Sequence, residues 1–171
     1  MIEVFGYGSL VNRRTQNFGG TPAKLSGWQR IWVTTPVRAA AFLSVKESAG
    51  EIDGLFFPVP DDDLPDLDRR EAQYERQPLG AGQVIYSVPA ANQTTRRCPI
   101  LRSYLDTVLQ GFLHEFGKDG IGRFITTTQG WEAGLLDDRA APLYPRAQQI
   151  NAEEQRLFAA CLASVPVVEK L

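Results

Sequence analysis

Along the first half of the chain the hydrophobic positions come in short runs, several of them alternating with polar residues. "IEVFGY" (2–7), "AKLSGWQRIWVTT" (23–35), "AAFLSVKE" (40–47), "EIDGLFFPV" (51–59) and "QVIYSVPA" (83–90) each read as a β-strand. Ser48-Ala49-Gly50 reads as a turn between two of them. The acidic, proline-containing stretch 58–74 interrupts the strands. Asp62 or Asp63 there is placed to cap a short helix that runs to about Gln73.

The second half changes period. From Ile100 to Phe116 the apolar residues Leu101, Tyr104, Leu105, Val108, Leu109, Phe112, Leu113 and Phe116 form a helical stripe, which Gly117 stops. Residues 152–165 predict a further helix. The segment 137–148 between them carries Pro142 and Pro145 and predicts a loop. Strands followed by helices define an α+β class, and the strand spacing suggests a small barrel or a strongly curled sheet. No repeat, low-complexity tract or long linker divides residues 1–171, which predicts a single domain.

Composition narrows the function classes. At 171 residues and 43% hydrophobic the chain can bury its own core. A net charge of −2 with scattered basic residues gives no basis for nucleic-acid binding. No apolar run approaches the roughly 20 residues that cross a membrane, and no secretory leader is apparent. Cys98 and Cys161 stand outside any CxxC pattern and read as free thiols of a reducing cytoplasm.

Candidate chemistry falls in two places. The first is Gly6-Tyr7-Gly8-Ser9-Leu10, directly after the first strand. It lacks the Lys-Ser/Thr of a P-loop, and Val11 stands where a dinucleotide fingerprint needs its third glycine. What remains is either a tight turn or a nest of backbone N–H groups able to hold a carbonyl or carboxylate oxygen. Ser9 would need a base to act as a nucleophile. The only histidine, His114, lies roughly opposite the apolar stripe, so a Ser-His pair is not expected. The same lone histidine and separated cysteines argue against zinc. Asp61-Asp62-Asp63 at a helix start reads as a cap that complements the helix dipole rather than a metal site.

The second place is Glu71. With Leu64 at 0° on a helical wheel, Leu67 lies at about 300° and Glu71 at about 340°, whereas Arg69 and Arg70 lie at about 140° and 240°. Glu71 therefore points inward with the leucines. A buried carboxylate is either paired with an arginine, for example Arg76 or Arg38, or raised in pKa and suited to general acid–base work. Glu75, beyond Tyr74, is the competing carboxylate.

These two places also carry a resemblance. "VFGYGSL" resembles the first strand and loop of the γ-glutamylcyclotransferase superfamily, which includes the ChaC-like enzymes. "GLFFPVPDDDLPDLDRREAQYER" resembles its second signature, and "SYLDTVLQGFLHEFG" is similar to a later helix. The three segments stand in family order and cover about a quarter of the chain.

The resemblance implies a compact mixed fold with a central β-barrel and a cofactor-free, metal-free reaction. In that reaction the α-amine of a γ-glutamyl substrate closes onto its own γ-carbonyl, releasing 5-oxoproline. Glu71 matches the catalytic carboxylate. Tyr7, Gly8, Ser9 and Leu10 match the loop that holds the γ-glutamyl group, and Tyr104 matches a tyrosine near the site. The partner it implies is a small γ-glutamyl molecule, whose leaving group is left open among an amino acid, an amine and the Cys-Gly of glutathione. The other readings are a non-catalytic γ-glutamyl-binding protein and a remover of a γ-glutamyl group from a biosynthetic intermediate. Tyr144 and Arg146, on the proline-rich loop, are candidates to reach the substrate. Oligomeric state is not legible.

Overall fold

The computed structural model describes residues 1–168. Its centre is a mixed six-stranded sheet in the order β4-β5-β1-β3-β2-β7. Strand β1 (Ile2–Gly6) runs antiparallel to β3 (Phe42–Val59) and parallel to β5 (Gln83–Ser87). Strand β2 (Thr21–Val33) forms a long antiparallel pair with β3, and β7 (Thr128–Gln129) extends that edge in parallel. The other edge is a hairpin of β4 (Glu75–Gly80) with β5, turned through Gly80, Ala81 and Gly82, all at positive φ. A small parallel sheet joins β6 (Ile100–Leu101), β8 (Leu135–Leu136) and β9 (Val167–Val168) in the order β6-β8-β9. Three helices complete the mixed α+β architecture: α1 (Leu64–Arg70), α2 (Arg102–Thr126) and α3 (Ala152–Cys161). The expected barrel is not found: among the described residues the sheet is open, with β4 and β7 at its edges.

Three local expectations are revised. Ser48-Ala49-Gly50 is not a turn, because β3 runs through it for 18 residues. The register passes from Ser26–Glu51 to Trp28–Glu47, so these three residues oppose the single Gly27, which sits at φ 90°. The turn-forming residues serve a bulge, in which the Gly50 N–H donates to Ser48 Oγ at 2.8 Å. No aspartate side chain caps α1. A 3-10 turn at Asp61–Asp63 already supplies its entry, and Asp61 instead accepts from the N-terminal ammonium at 2.6 Å.

Gly117 does break α2, at φ 66° and ψ −168°, but helix resumes beyond it. Ile121 and Phe124 are fully buried and anchor this second segment. Its glycines at 117, 120 and 122 obscure its periodicity in the sequence.

The core lies between the sheet and α2. Phe5, Leu55, Phe57 and Ile85 from the strands pack with Leu105, Val108 and Phe112. Every residue of α2 from Arg102 to Phe112 is buried, including the polar Ser103, Asp106, Thr107 and Gln110. The loop at 137–150 and the start of α3 cover that polar side. Gln148 N–H donates to Thr107 Oγ1 at 3.1 Å, and Gln110 Nε2 donates to the Gln149 carbonyl at 3.1 Å. His114, further along, is exposed and lies 3.4 Å from Glu154.

Candidate active site

The first strand delivers its glycine turn to the floor of a cavity. Gly6 and Gly54 set the position. A Cβ on Gly54 would stand 2.4 Å from the Gly6 carbonyl, and one on Gly6 would stand 2.8 Å from Leu10 Cβ. The chain then turns into a short 3-10 helix, Ser9–Val11, whose first bond runs from the Val11 N–H to the Gly8 carbonyl at 3.0 Å. The N–H groups of Ser9 and Leu10 precede that bond and have no acceptor within the helix. The loop is braced from both sides. Thr15 Oγ1 donates to the Ser9 carbonyl at 2.7 Å. Beneath it, fully buried Arg30 donates to the Tyr7 carbonyl at 3.0 Å and the Asp53 carbonyl at 2.5 Å. The Arg30 guanidinium lies over the adjoining rings of Phe112 and Phe124, 4.9 and 5.0 Å from their centres, and burial lowers its pKa to about 9.

Glu71 enters from the opposite wall. Helix α1 ends at Arg70, and Glu71 follows at φ −98°, ψ 32°, its N–H still bonded to the Leu67 carbonyl at 2.9 Å. Leu67 is buried in the core and fixes this helix end. Glu71 does turn inward, and its side chain keeps only 15% of its surface. Its partner is neither Arg38 nor Arg76. Arg70 Nε lies 3.1 Å from Glu71 Oε1, while Arg76 lies 3.3 Å from Asp68. The wheel places Arg70 away from Glu71, but the helix stops between them and the wheel no longer applies. Arg70 also donates to the Thr15 carbonyl at 2.6 Å and approaches Ser9 Oγ at 3.5 Å, tying the two walls together. Burial pushes the Glu71 carboxyl above the usual carboxylate range, while Arg70, Arg38 and Arg146 pull it down. Glu75, on β4, is exposed.

Aromatic rings make up much of the rest. Tyr104, from the first turn of α2, packs against Phe42 at 4.9 Å and Tyr144 at 5.0 Å between ring centroids. Its hydroxyl is the group a Cβ on Gly8 would meet first, at 3.2 Å. Tyr7 donates its hydroxyl to the Tyr86 carbonyl at 2.6 Å, and Tyr74 donates to the Leu43 carbonyl at 2.7 Å. Burial raises the pKa of Tyr7, Tyr74 and Tyr104, so all three remain protonated hydrogen-bond donors at neutral pH.

Tyr7, Gly8, Ser9, Leu10, Glu71 and Tyr104, from three separate parts of the sequence, all line one inner recess. It adjoins an outer cavity of about 500 Å³, to which Ser9, Glu71, Tyr74 and Tyr104 also contribute. Tyr144 and Arg146 line the outer cavity.

A buried latch brings the loop there. Asp138 accepts from the Ser103 N–H at 2.8 Å, the Ser103 hydroxyl at 2.5 Å and the Leu143 N–H at 2.9 Å. It thereby satisfies the start of α2 and draws residues 138–144 onto it.

Sequence reasoning did not assign Tyr74 or Phe42 to the cavity, and offered Arg38 only as a salt-bridge partner of Glu71. Tyr74 follows Glu71 closely enough to have been found. Phe42 and Arg38 carry no local signal. The arrangement offers a shielded carboxylate, backbone donors and cationic side chains around a space of small-molecule size. Among the described residues no cluster of three or more His, Cys, Asp or Glu is placed to hold a metal ion, and Cys98 and Cys161 are free thiols. No described helix is long and apolar enough to cross a membrane.

This architecture is the γ-glutamyl cyclotransferase-like fold. Among solved structures, a γ-glutamyl cyclotransferase superposes with a TM-score of 0.56 at 12% identity, over 93% of this chain and 98% of that one. YkqA from Bacillus subtilis superposes with a TM-score of 0.56 at 18% identity over 75% of this chain, and the match spans 56% of the length of YkqA. An uncharacterized protein from Homo sapiens gives a TM-score of 0.52 at 13% identity, over 91% of this chain and 96% of that one. No protein-family model and no curated protein sequence matches the chain.

Proposed function

We propose that the protein is a γ-glutamyl cyclotransferase that uses Glu71 as its proton carrier. The observation that carries this reading is the placement of Glu71, a largely buried carboxylate with a raised pKa, in the recess that also holds the Gly8–Leu10 loop. The likeness of fold to a γ-glutamyl cyclotransferase supports it.

The nucleophile and the electrophile belong to one substrate molecule. Glu71 accepts a proton from the substrate's α-ammonium, and the freed amine attacks the γ-carbonyl carbon. The tetrahedral oxyanion faces the N–H groups of Ser9 and Leu10, where aligned donors favour it over the ground state. Glu71 then passes its proton to the amide nitrogen as the C–N bond breaks. The second proton of the attacking nitrogen passes to the departing amine, so the products are 5-oxoproline and an ammonium ion, and no proton is gained or lost overall. The protein needs no nucleophile of its own, in keeping with a Ser9 hydroxyl that faces Arg70 rather than a histidine. The recess folds the substrate into a reactive shape, which is worth several kcal/mol. The tyrosines pack its walls and exclude water.

The test is an assay for 5-oxoproline with γ-Glu-Ala, a γ-glutamylamine and glutathione, beside Glu71→Gln. Release from at least one substrate, lowered about a hundredfold or more in the variant, is the expected outcome. Undiminished release by the variant would place the proton carrier elsewhere. No release from any substrate would favour a γ-glutamyl-binding protein without turnover.

A further inference from the structure

Three buried polar side chains form an unbroken chain that proton transfer does not use. Asn12 and Gln110 are 1% exposed and Glu154 is 7% exposed. Asn12 Nδ2 donates to Gln110 Oε1 at 3.1 Å, and Gln110 Nε2 donates to the Glu154 carboxylate at 3.2 Å. The chain runs from the glycine loop, across α2, to the start of α3.

Asn12 is the joint of the loop. It ends the 3-10 turn at Ser9–Val11, where its N–H donates to the Ser9 carbonyl at 3.1 Å. It also caps the next turn, Arg13–Thr15, where its Oδ1 accepts from the Arg14 N–H at 3.1 Å. Its Nδ2 reaches the Thr107 carbonyl as well, at 2.9 Å. Glycine is a poor helix former, yet Gly111 stands inside α2 against this joint. A Cβ there would lie 2.6 Å from the Asn12 nitrogen and 2.8 Å from its Cα. Gly111 therefore lets the backbone of Asn12 rest on the helix.

The donors run in one direction. The Glu154 carboxylate and the Gln149 carbonyl, 3.1 Å from Gln110 Nε2, are both acceptors. They turn the amide nitrogen of Gln110 toward α3 and leave its Oε1 to face Asn12. Asn12 must then present its own amide nitrogen to Gln110 and its oxygen to Arg14. A buried network in which each amide group has a partner holds one geometry. Glu154 is itself held by the Asn151 N–H at 2.9 Å, in the capping box of α3, and lies 3.4 Å from His114.

We infer that Asn12 is a positioning residue for the Ser9 and Leu10 N–H donors, and that Glu154 fixes its orientation through Gln110. The kinetic consequence rests on the γ-glutamyl reading above, because those donors face the oxyanion. They act in the transition state, so a small displacement lowers kcat and leaves KM nearly unchanged.

Asn12→Asp keeps the shape and the acceptor for Arg14 but turns an oxygen toward the Thr107 carbonyl and Gln110 Oε1. On the plateau of the pH profile it is expected to lower kcat about 10–100-fold, with KM within about threefold. Gly111→Ala favours the helix but presses on the Asn12 backbone, and the same split is expected. Glu154→Gln still accepts from the Asn151 N–H while turning an amide nitrogen toward Gln110, and should lower kcat by a smaller factor. Glu153→Gln, its exposed neighbour on α3, should match the wild type. Unchanged kcat in Asn12→Asp or Gly111→Ala, a loss confined to KM, or an equal loss in Glu153→Gln overturns the inference while leaving cyclisation intact.

Proton–nitrogen correlation NMR spectra of the same variants give a second readout that needs no turnover. The Ser9 and Leu10 amide signals should shift in Glu154→Gln and keep their places in Glu153→Gln. If no 5-oxoproline forms from any substrate but the signals shift in this way, cyclisation falls and the positioning network stands. Unshifted signals in Glu154→Gln overturn the network whether or not the protein turns over, and they do so even if Asn12→Asp fails to fold.

Discussion

Glu71 sits one residue beyond the end of α1, and its chemistry follows from that position. The helix end directs the carboxylate inward, and Arg70 beside it limits the penalty of burial. Burial outweighs the arginines, so the folded carboxyl holds its proton more tightly than a free glutamate with a pKa of about 4.3. A general base must be ionised. The kcat/KM for 5-oxoproline release should therefore fall as pH drops through an apparent pKa above the ordinary glutamate value. Arg38 lowers that pKa, so Arg38→Gln should move the acid limb of the pH–rate profile further upward. A limb that stays in place would remove Arg38 from the electrostatics of Glu71.

Gly8 makes the second prediction at this scale. Its missing side chain leaves room beside Tyr104 and Leu43, where even a Cβ would stand at 3.2 and 3.3 Å. Gly8→Val should fill the inner recess, raising KM and lowering kcat with the fold retained. Circular dichroism beside the kinetic assay separates this from unfolding.

At the scale of elements, the positions of walls matter more than their identities. The loop at 137–148 contains no regular structure, yet the buried Asp138 carboxylate that caps α2 fastens it, together with the Gln148–Thr107 bond. Asp138→Asn replaces one acceptor oxygen with a donor, facing Ser103 or Leu143 N–H and O–H groups that are themselves donors. A loss of about 1–3 kcal/mol in denaturant unfolding is expected, as for a buried hydrogen bond left unmade. KM should rise more than kcat falls, because Tyr144 and Arg146 move with the loop. An unchanged KM would show that the loop keeps its place without the latch.

The elements also show where sequence reading was reliable. The stripe of α2 and the break at Gly117 were legible because they depend on residues a few positions apart, whereas the resumption of the helix to Thr126 was not. The Ser48–Gly50 bulge was not, since turn residues look alike whether the chain reverses or bulges against a partner 20 or so residues away in sequence. The buried polar side of α2 was equally hidden. Ser103, Thr107 and Gln110 look like a solvated face until the loop and α3 cover them.

Across the whole molecule, the sheet and the site are mechanically joined. Arg30 runs from the sheet to the Tyr7 and Asp53 carbonyls, and Gly54 lets β3 pass directly over the end of β1. Gly54→Ala would drive a methyl group to 2.4 Å from the Gly6 carbonyl and 2.5 Å from Phe5 Cζ. Separation of β1 from β3 should destabilise the protein by about 1–3 kcal/mol or more, as overpacking does. The glycine loop would shift with β1, so activity should fall more than stability alone accounts for. Thermal unfolding and 5-oxoproline release measured on the same preparation test this together.

Short-range information was enough to place a glycine turn after a strand, an inward Glu71 and the α+β class, because each depends on neighbouring residues and a fixed period. Pattern and resemblance together also named six residues that the fold gathers into one recess. The open sheet, the Arg70 partner, the latch at Asp138 and the buried chain from Asn12 to Glu154 came only from the folded chain. They depend on which distant segments meet and on how much water those segments jointly exclude. Neither quantity is a property of any one stretch of sequence.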